Sequence, residues 1–303
     1  MLNPTRILIT GASGLVGKNL TKILLQYGYD VIHLSRSNPQ NNPKIFTWDI
    51  GANEIQPGAF EGVDVIIHLA GANVAEGRWT QKRKKELLES RTESSALLRR
   101  NLENINHQVK HFISASAVGY YGFRDNDKIF REEDPPGNDF LASLTSQWEA
   151  EVDQIRVPGM RVVKLRTGVV LSRDGGALAP IAATVRKWIG APLGYGSQFI
   201  SWIHLTDLCR MFLFVLQNQS VSGPVNAVAP NPVTNKQLTE VVAQVLNKPL
   251  MLPNVPAIGL KIAFGEMAQI VLNGSRVSAS KLIDAGFEYE FPDINSAVKD
   301  LLS

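Results

Sequence analysis

Gly11, Gly14 and Gly17 stand at intervals of three in the N-terminal stretch "RILITGASGLVGKNL". Glycine adopts backbone angles that tight turns need, and its missing Cβ lets a ligand approach the chain closely. A short Ile/Leu run precedes the loop and a helix-periodic segment follows it, so it turns a strand into a helix whose first N–H groups are free. Such a loop suits a pyrophosphate, with the amides meeting its charge. "TGASGLVG" also offers Thr10, Ser13, Leu15 and Val16 as contacts. A G-x-x-G-x-x-G pattern alone is weak; its place between strand and helix makes it specific.

The tip of the next strand decides which dinucleotide fits. An acid there holds a free ribose 2′-hydroxyl. "DVIHLSRSN" instead presents Ser35 and Arg36. Arginine binds phosphate through two parallel N–H bonds and serine can add a third, which favours the 2′-phosphate of NADP. The plain alternative is a surface cation at Arg36. Leu69, Ala70 and Gly71 end the run "VDVIIHLAG", where small residues let backbone lie against the adenosine half of the cofactor. Asp49 either meets the adenine or caps a turn.

Proton-carrying candidates are fewer. "SASAVGYYG" holds Ser116, Tyr120 and Tyr121. A lone hydroxyl without a neighbouring cation is a poor base, so Ser116 and Tyr121 stand only as candidates beside a role in packing or substrate hydrogen bonding. His107 and His111 have i, i+4 spacing but straddle a helix end and a strand start, with no third ligand nearby, so no metal site is expected. His204 in "SWIHLTDL" reads as a brace between lobes, and Cys209 as core.

The elements that must carry these residues alternate. Strand-like runs at "RILIT", "DVIHLS", "KIFTW", "VDVIIHLAG", "KHFISASA" and "RVVKLRTGVVL" are interleaved with helix-like segments, among them "WTQKRKKELLESRTESSALLRRNLEN" and "FLASLTSQWEAEVDQI". This order implies parallel strands joined by right-handed crossovers, covered by helices on both faces. The expected fold is α/β: a Rossmann-like doubly wound parallel sheet with a smaller C-terminal α/β substrate lobe. Residues 1–171 form the dinucleotide-binding domain, completed by about 204–235; residues 172–203 and 236–303 form the lobe.

The bulk figures agree with an ordinary globular protein. Of 303 residues, 44% are hydrophobic and 19% charged. Thirty-one Lys and Arg against 28 Asp and Glu leave a net charge of +3, too small for a general nucleic-acid or membrane surface. A single cysteine excludes an internal disulfide and suits a reducing compartment. The N-terminal stretch lacks the charged, apolar and small-residue order of a signal peptide, and no run is long enough to span a bilayer, so a cytoplasmic location is expected.

"TGASGLVG", "HLAG", "FISASAVGYYG" and "SWIHLTDL", in that order, resemble the extended short-chain dehydrogenase/reductases. "RWTQKRKKELLESR", "LRTGVVLSRDGGALAP", "GPVNAVAPNPVTN" and "GEMA" extend the resemblance almost end to end, to an atypical subgroup, the epimerase family proteins. The resemblance implies that Glu86 and Arg91, after the "RW" pair, and Arg166, in "LRTG", serve NADP. It places Ser116 where the usual catalytic hydroxyl lies. It also implies a Tyr and a Lys one turn apart on the following helix. With Glu149 matched to the usual downstream acid of that helix, those positions hold Leu141 and Thr145. In any register, no tyrosine lies between Tyr121 and Tyr195, and no lysine between Lys128 and Lys164.

Two functions follow. One is an NADP-dependent oxidoreductase or epimerase-like enzyme on a small molecule, lacking the Tyr–Lys dyad. The other is a non-catalytic NADP(H)-responsive regulator, in keeping with the cell-division label that some relatives carry. Relatives that act on nucleotide sugars place an Arg and an Asp before the aromatic–Ile–His stretch. Ile200 and Ser201 stand there in "FISWIHLTDL", so a nucleotide sugar is not the expected substrate. A homodimer through the helices covering the sheet is what extended relatives suggest.

Overall fold

The computed structural model describes residues 4–123 and 128–303; the first three residues of the N-terminal stretch read above lie outside them. The first half runs β1 (Arg6–Thr10), α1 (Leu15–Gln26), β2 (Asp30–Ser35), β3 (Ile45–Asp49), β4 (Glu54–Ile55), β5 (Val65–His68), α2 (Gln81–Asn104), β6 (His111–Ala117), β7 (Ile129–Phe130), α3 (Phe140–Val152), β8 (Arg161–Thr167) and β9 (Val169–Leu171). The second half runs α4 (Leu178–Arg186), β10 (Phe199–Ile200), β11 (Trp202–His204), α5 (Leu205–Gln217), β12 (Gly223–Ala227), β13 (Val233–Thr234), α6 (Asn235–Val245), α7 (Ala257–Phe264), α8 (Gln269–Leu272), β14 (Arg276–Val277), α9 (Ser280–Asp284) and α10 (Ile294–Leu302).

Eight strands form one sheet in the order β12-β8-β6-β5-β1-β2-β3-β4. All pairs are parallel except β3 with β4, a short antiparallel hairpin at the edge. This is the Rossmann-like doubly wound α/β fold expected. Strand order reverses at β1, which pairs with β2 on one side and β5 on the other. Ligands of such sheets bind in the crevice beyond the strand C-termini at that reversal.

The strand period assigns alternate side chains to opposite faces. Ile7 and Ile9 of β1, Val65 and Ile67 of β5 and Ile113 of β6 join α1 and α5 in one core. Leu8, Ile66 and Phe112, their neighbours along the strands, join α2 and α3 in a second. The first core does not end with the sheet. It continues through Leu238 and Val242 of α6 to Ala297, Val298 and Leu301 of α10.

One expected strand is two. "RVVKLRTGVVL" breaks at Gly168, where an added Cβ would lie 2.3 Å from the Ser201 carbonyl oxygen. β8 stays in the main sheet, while β9 leaves it to pair with β11. β12 then returns the chain to the sheet beside β8. The segments between and after these carry α4 and α6–α10 and form the small pairings β10–β13 and β7–β14, the second of which ties Arg276–Val277 back to Ile129–Phe130, ahead of α3. No helix among the described residues is long and apolar enough to cross a membrane.

Candidate cofactor and substrate site

The glycine loop leaves β1 at the sheet's reversal. Gly11 has φ +68°, and a Cβ there would lie 2.8 Å from both the carbonyl carbon and oxygen of Leu69. A Cβ on Gly17 would lie 2.5 Å from the Gly11 oxygen and 2.6 Å from the Ala12 Cα. Both positions admit only glycine without rearrangement. Gly14 caps α1 with no side-chain hydrogen bond, so the first-turn amides of Leu15, Val16 and Gly17 have no side chain to satisfy them. Ser13 is exposed beside them. This is a cradle for an anion built from backbone alone. Thr10 is turned inward: its Oγ1 lies 2.7 Å from His68 Nδ1 and accepts hydrogen bonds from the amides of Leu69 and Ala70. It therefore fixes the ends of β1 and β5 against each other. Burial first, then the charge of Arg91, pushes the His68 pKa down to about 3, so the ring is neutral.

Ser35 closes β2, and Arg36, which follows it, is exposed. Asp49 Oδ1 accepts the amide of Ala52 at 3.0 Å, which caps a turn. At the end of β5, Leu69 and Ala70 are half-buried and Gly71 is exposed, facing Arg91, whose Cζ would lie 3.2 Å from a Cβ at Gly71. The Arg91 guanidinium donates to the carbonyls of Leu87 at 2.8 Å and Ala72 at 2.9 Å. No carboxylate of the described residues pairs with it. Burial, then the charge of Arg83, pulls its pKa down to about 10. A shielded cation without a counter-charge beside the glycine cradle is suited to a phosphate. Glu86 is exposed and lies 2.8 Å from Arg83, which donates to the Asn73 carbonyl of the loop after β5.

Ser116 and Tyr121, the two hydroxyl candidates, also face inward. Ser116 Oγ donates to Glu149 Oε1 at 2.6 Å. Arg166 grips the same carboxylate with two parallel bonds, Nε to Oε1 at 2.8 Å and Nη2 to Oε2 at 2.9 Å. Its Nη1 donates to Tyr121 Oη at 2.9 Å, and Tyr121 donates to Asn226 Oδ1 at 2.7 Å. Ser116, Tyr121, Glu149, Arg166 and Asn226 are all buried. Burial opposes the Glu149 charge, but Arg166 above all, then Ser116 and Lys164, hold its carboxyl below the usual range. Burial pushes the Tyr121 phenol well above its ordinary value. Arg166 lies on β8, three strands from β1, and its donors are engaged by this network and the Glu132 carbonyl.

A family model described as the NAD dependent epimerase/dehydratase family matches residues 7–228, spanning the glycine cradle and the sheet that bears it. The chain belongs to that family. A second model, a domain of unknown function (DUF1731), matches residues 255–301. An epimerase family protein of Mycobacterium bovis is 37% identical over 295 residues, 96% of each chain. Among solved structures, human epimerase family protein SDR39U1, crystallised with NADPH, is 30% identical with a TM-score of 0.89, covering 98% of this chain and 99% of its own. A nucleoside-diphosphate sugar epimerase from Corynebacterium glutamicum is 32% identical with a TM-score of 0.81; this chain covers 58% of it.

The family's extended short-chain dehydrogenase/reductase frame gives the remaining motifs their posts. α3 is "FLASLTSQWEAEV", and a Cβ on Gly119 would lie 3.3 Å from Leu141 Cβ and 3.6 Å from Thr145 Oγ1. Those two residues therefore face the loop after β6. Ser201 is buried, its Oγ donating to the Ser275 carbonyl and accepting from Val277, while Ile200 is half-buried in β10. His204 caps α5 by accepting the Thr206 amide at 3.1 Å, and its ring lies against Phe291. Asp207, wholly buried, accepts the amides of Glu290 and Phe291, so "HLTDL" ties α5 to the C-terminal segment. His107 holds the Leu102 carbonyl and the Val109 amide with its two ring nitrogens.

Sequence reasoning used Glu149 only to set register and missed it as the hub. One signal was there. Leu144, Thr145, Trp148, Glu149 and Val152 form the buried stripe of α3, and an acid on such a stripe needs a cation opposite.

Proposed function

We propose that this protein binds NADP(H) and acts as an oxidoreductase or epimerase-like enzyme on an uncharged small molecule. The observation that supports this most is the cradle at Gly11–Gly17, with Arg36 at the β2 tip and, behind Gly71, the guanidinium of Arg91, which has no carboxylate partner among the described residues. Gly14 and the amides of Leu15, Val16 and Gly17 would hold the pyrophosphate, Ser35 and Arg36 the 2′-phosphate. When bound, NADPH supplies a hydride. Arg166 has no part in this reading because Glu149 engages it, while Glu86, through its pair with Arg83, would act on the cofactor only by way of the loop after β5. A cytoplasmic site of action fits the single buried cysteine.

NADPH is expected to bind roughly ten- to a hundredfold more tightly than NADH, from about 1.5–3 kcal/mol for one charge-assisted contact. Calorimetry on the wild type and on Arg36→Glu reads this directly. Equal affinities, or an unchanged NADPH affinity in the variant, would refute the assignment of Arg36.

Proton transfer does not use the Tyr–Lys dyad in this reading, because α3, FLASLTSQWEAEV, carries neither a tyrosine nor a lysine. Ser116 and Tyr121 serve as positioning groups, since their protons are committed to Glu149 and Asn226. The same lack of a dyad favours the second reading, a regulator that responds to NADP(H) without turnover. A carbonyl-reductase screen under NADPH divides the two readings: consumption of NADPH supports the enzyme, and ligand binding without consumption supports the regulator.

Nucleotide sugars are not the substrate. Ile200 cannot neutralise a diphosphate, and Ser201 is used up between Ser275 and Val277, which leaves Arg276, over the Phe199 ring at 4.7 Å, as the cation that a nucleotide sugar would have to recruit. The Corynebacterium relative bears a nucleoside-diphosphate sugar label, which makes the test pointed. With NADP saturating, UDP-, GDP- and dTDP-sugars are expected to leave the melting temperature unchanged; a micromolar shift outside the cofactor site would overturn this.

A further inference from the structure

The loop after β5, the start of α3 and the lobe meet in an apolar wall beyond the sheet's C-terminal edge. Trp79 and Leu144 are its buried base. Phe140, Leu141, Met267 and Ile270 pack on that base and keep part of their surface uncovered. The one polar handle in the base is already used, because Trp79 Nε1 donates to the Val74 carbonyl at 2.9 Å. Leu141 is also the residue facing Gly119, so the wall reaches the end of β6.

The lobe side of this wall is fastened, not floating. Arg78 donates to the carbonyls of Ile262 and Ala263, both at 2.9 Å, and Lys84 pairs with Glu266. The neighbouring lobe surface is apolar as well. Ile258, Ile262 and Phe264 of α7, the helix that Arg78 anchors, are exposed large apolar side chains. Exposed apolar area concentrated beside a ligand crevice marks a binding surface.

We propose that the ligand seated here is an uncharged carbonyl compound or alcohol with an apolar chain or ring. Its apolar body lies against Phe140, Leu141, Met267 and Ile270, and its single polar group points to the end of β6. This deepens the NADP-linked reading above and rests on it for the site's location. Each methylene that leaves water adds to binding, while a charged or polyhydroxylated body would lose its hydration against the wall without replacement, since Lys84, 5.0 Å over the Phe140 ring, is already held by Glu266.

The probe is a series of 2-alkanones from 2-butanone to 2-undecanone, titrated by calorimetry into the full chain with and without saturating NADPH. Affinity is expected to rise about two- to fourfold for each added methylene over several carbons. Met267→Gln and Ile270→Asn are each expected to weaken 2-nonanone at least tenfold, with NADPH affinity held within twofold as the check on folding. A flat series, or variants that bind 2-nonanone as the wild type does, overturns the proposal. Failure of NADPH itself to bind would instead sink the cofactor reading, and the arm without NADPH still reports on the wall.

Discussion

Glu149→Gln is expected to destabilise the folded protein by about 3–5 kcal/mol, the usual consequence of stripping one partner from a buried ion pair. The substitution keeps the shape but leaves Arg166 buried with no counter-charge and Lys164 with Asp153 alone. Urea unfolding would show it as a lower midpoint at unchanged slope. Glu149→Leu combined with Arg166→Met should recover much of the loss, because no uncompensated charge remains. A single variant within about 1 kcal/mol of wild type would mean that water enters the network and satisfies Arg166. Acid should act in the same direction. The Glu149 carboxyl sits below its unfolded value, so its contribution is complete above that value and is lost as pH falls through the folded one. His68 adds to this: kept neutral down to about pH 3 in the fold and protonated near 6.5 when unfolded, it withdraws stability progressively as pH drops from 6.5 towards 3.

Gly17→Ala should abolish measurable NADPH binding, with a loss of at least a hundredfold, or about 2.7 kcal/mol. The added methyl would overlap the Gly11 oxygen and the Ala12 Cα, both backbone atoms of the cradle, so the loop must open to admit it. Gly14→Ala is the control for folding. Its Cβ would meet only the Gly11 oxygen, at 3.3 Å, tight but short of the overlap at Gly17, and its φ is −74°, so its melting temperature without cofactor should fall less than that of Gly17→Ala. Calorimetry and thermal melts on both variants settle the matter; a Gly17→Ala protein that binds NADPH like the wild type would remove the cradle from the cofactor site.

The cradle was legible because its cause is local. Close approach and positive φ leave glycine as their trace, and three such residues between a strand and a helix are a message contained in seven positions. The alternating strands were legible for the same reason: burial on both faces writes continuous apolar runs. Gly168 was not, since Val, Val and Leu on its far side look like more of the same strand, and only the Ser201 carbonyl across the fold shows why the chain must turn. The hairpin of β3 and β4 hid in polar residues at an edge where no burial pattern is imposed. The hub at Glu149 was the hardest to see. Its partners Ser116 and Arg166 lie 33 and 17 residues away, and Tyr121 and Asn226, linked to it through Arg166, lie 105 residues from each other. Spacing carries no record of a contact that only the sheet order creates.

α10 packs on α6 and β9, and both belong to the same continuous core as Ile7 and Ile9 of β1. The segment matched by the second family model is therefore built into the wall of the nucleotide-binding unit and not hung beside it. Truncation at residue 254, removing the whole DUF1731 segment, would not release an independent nucleotide-binding unit but an unfinished one.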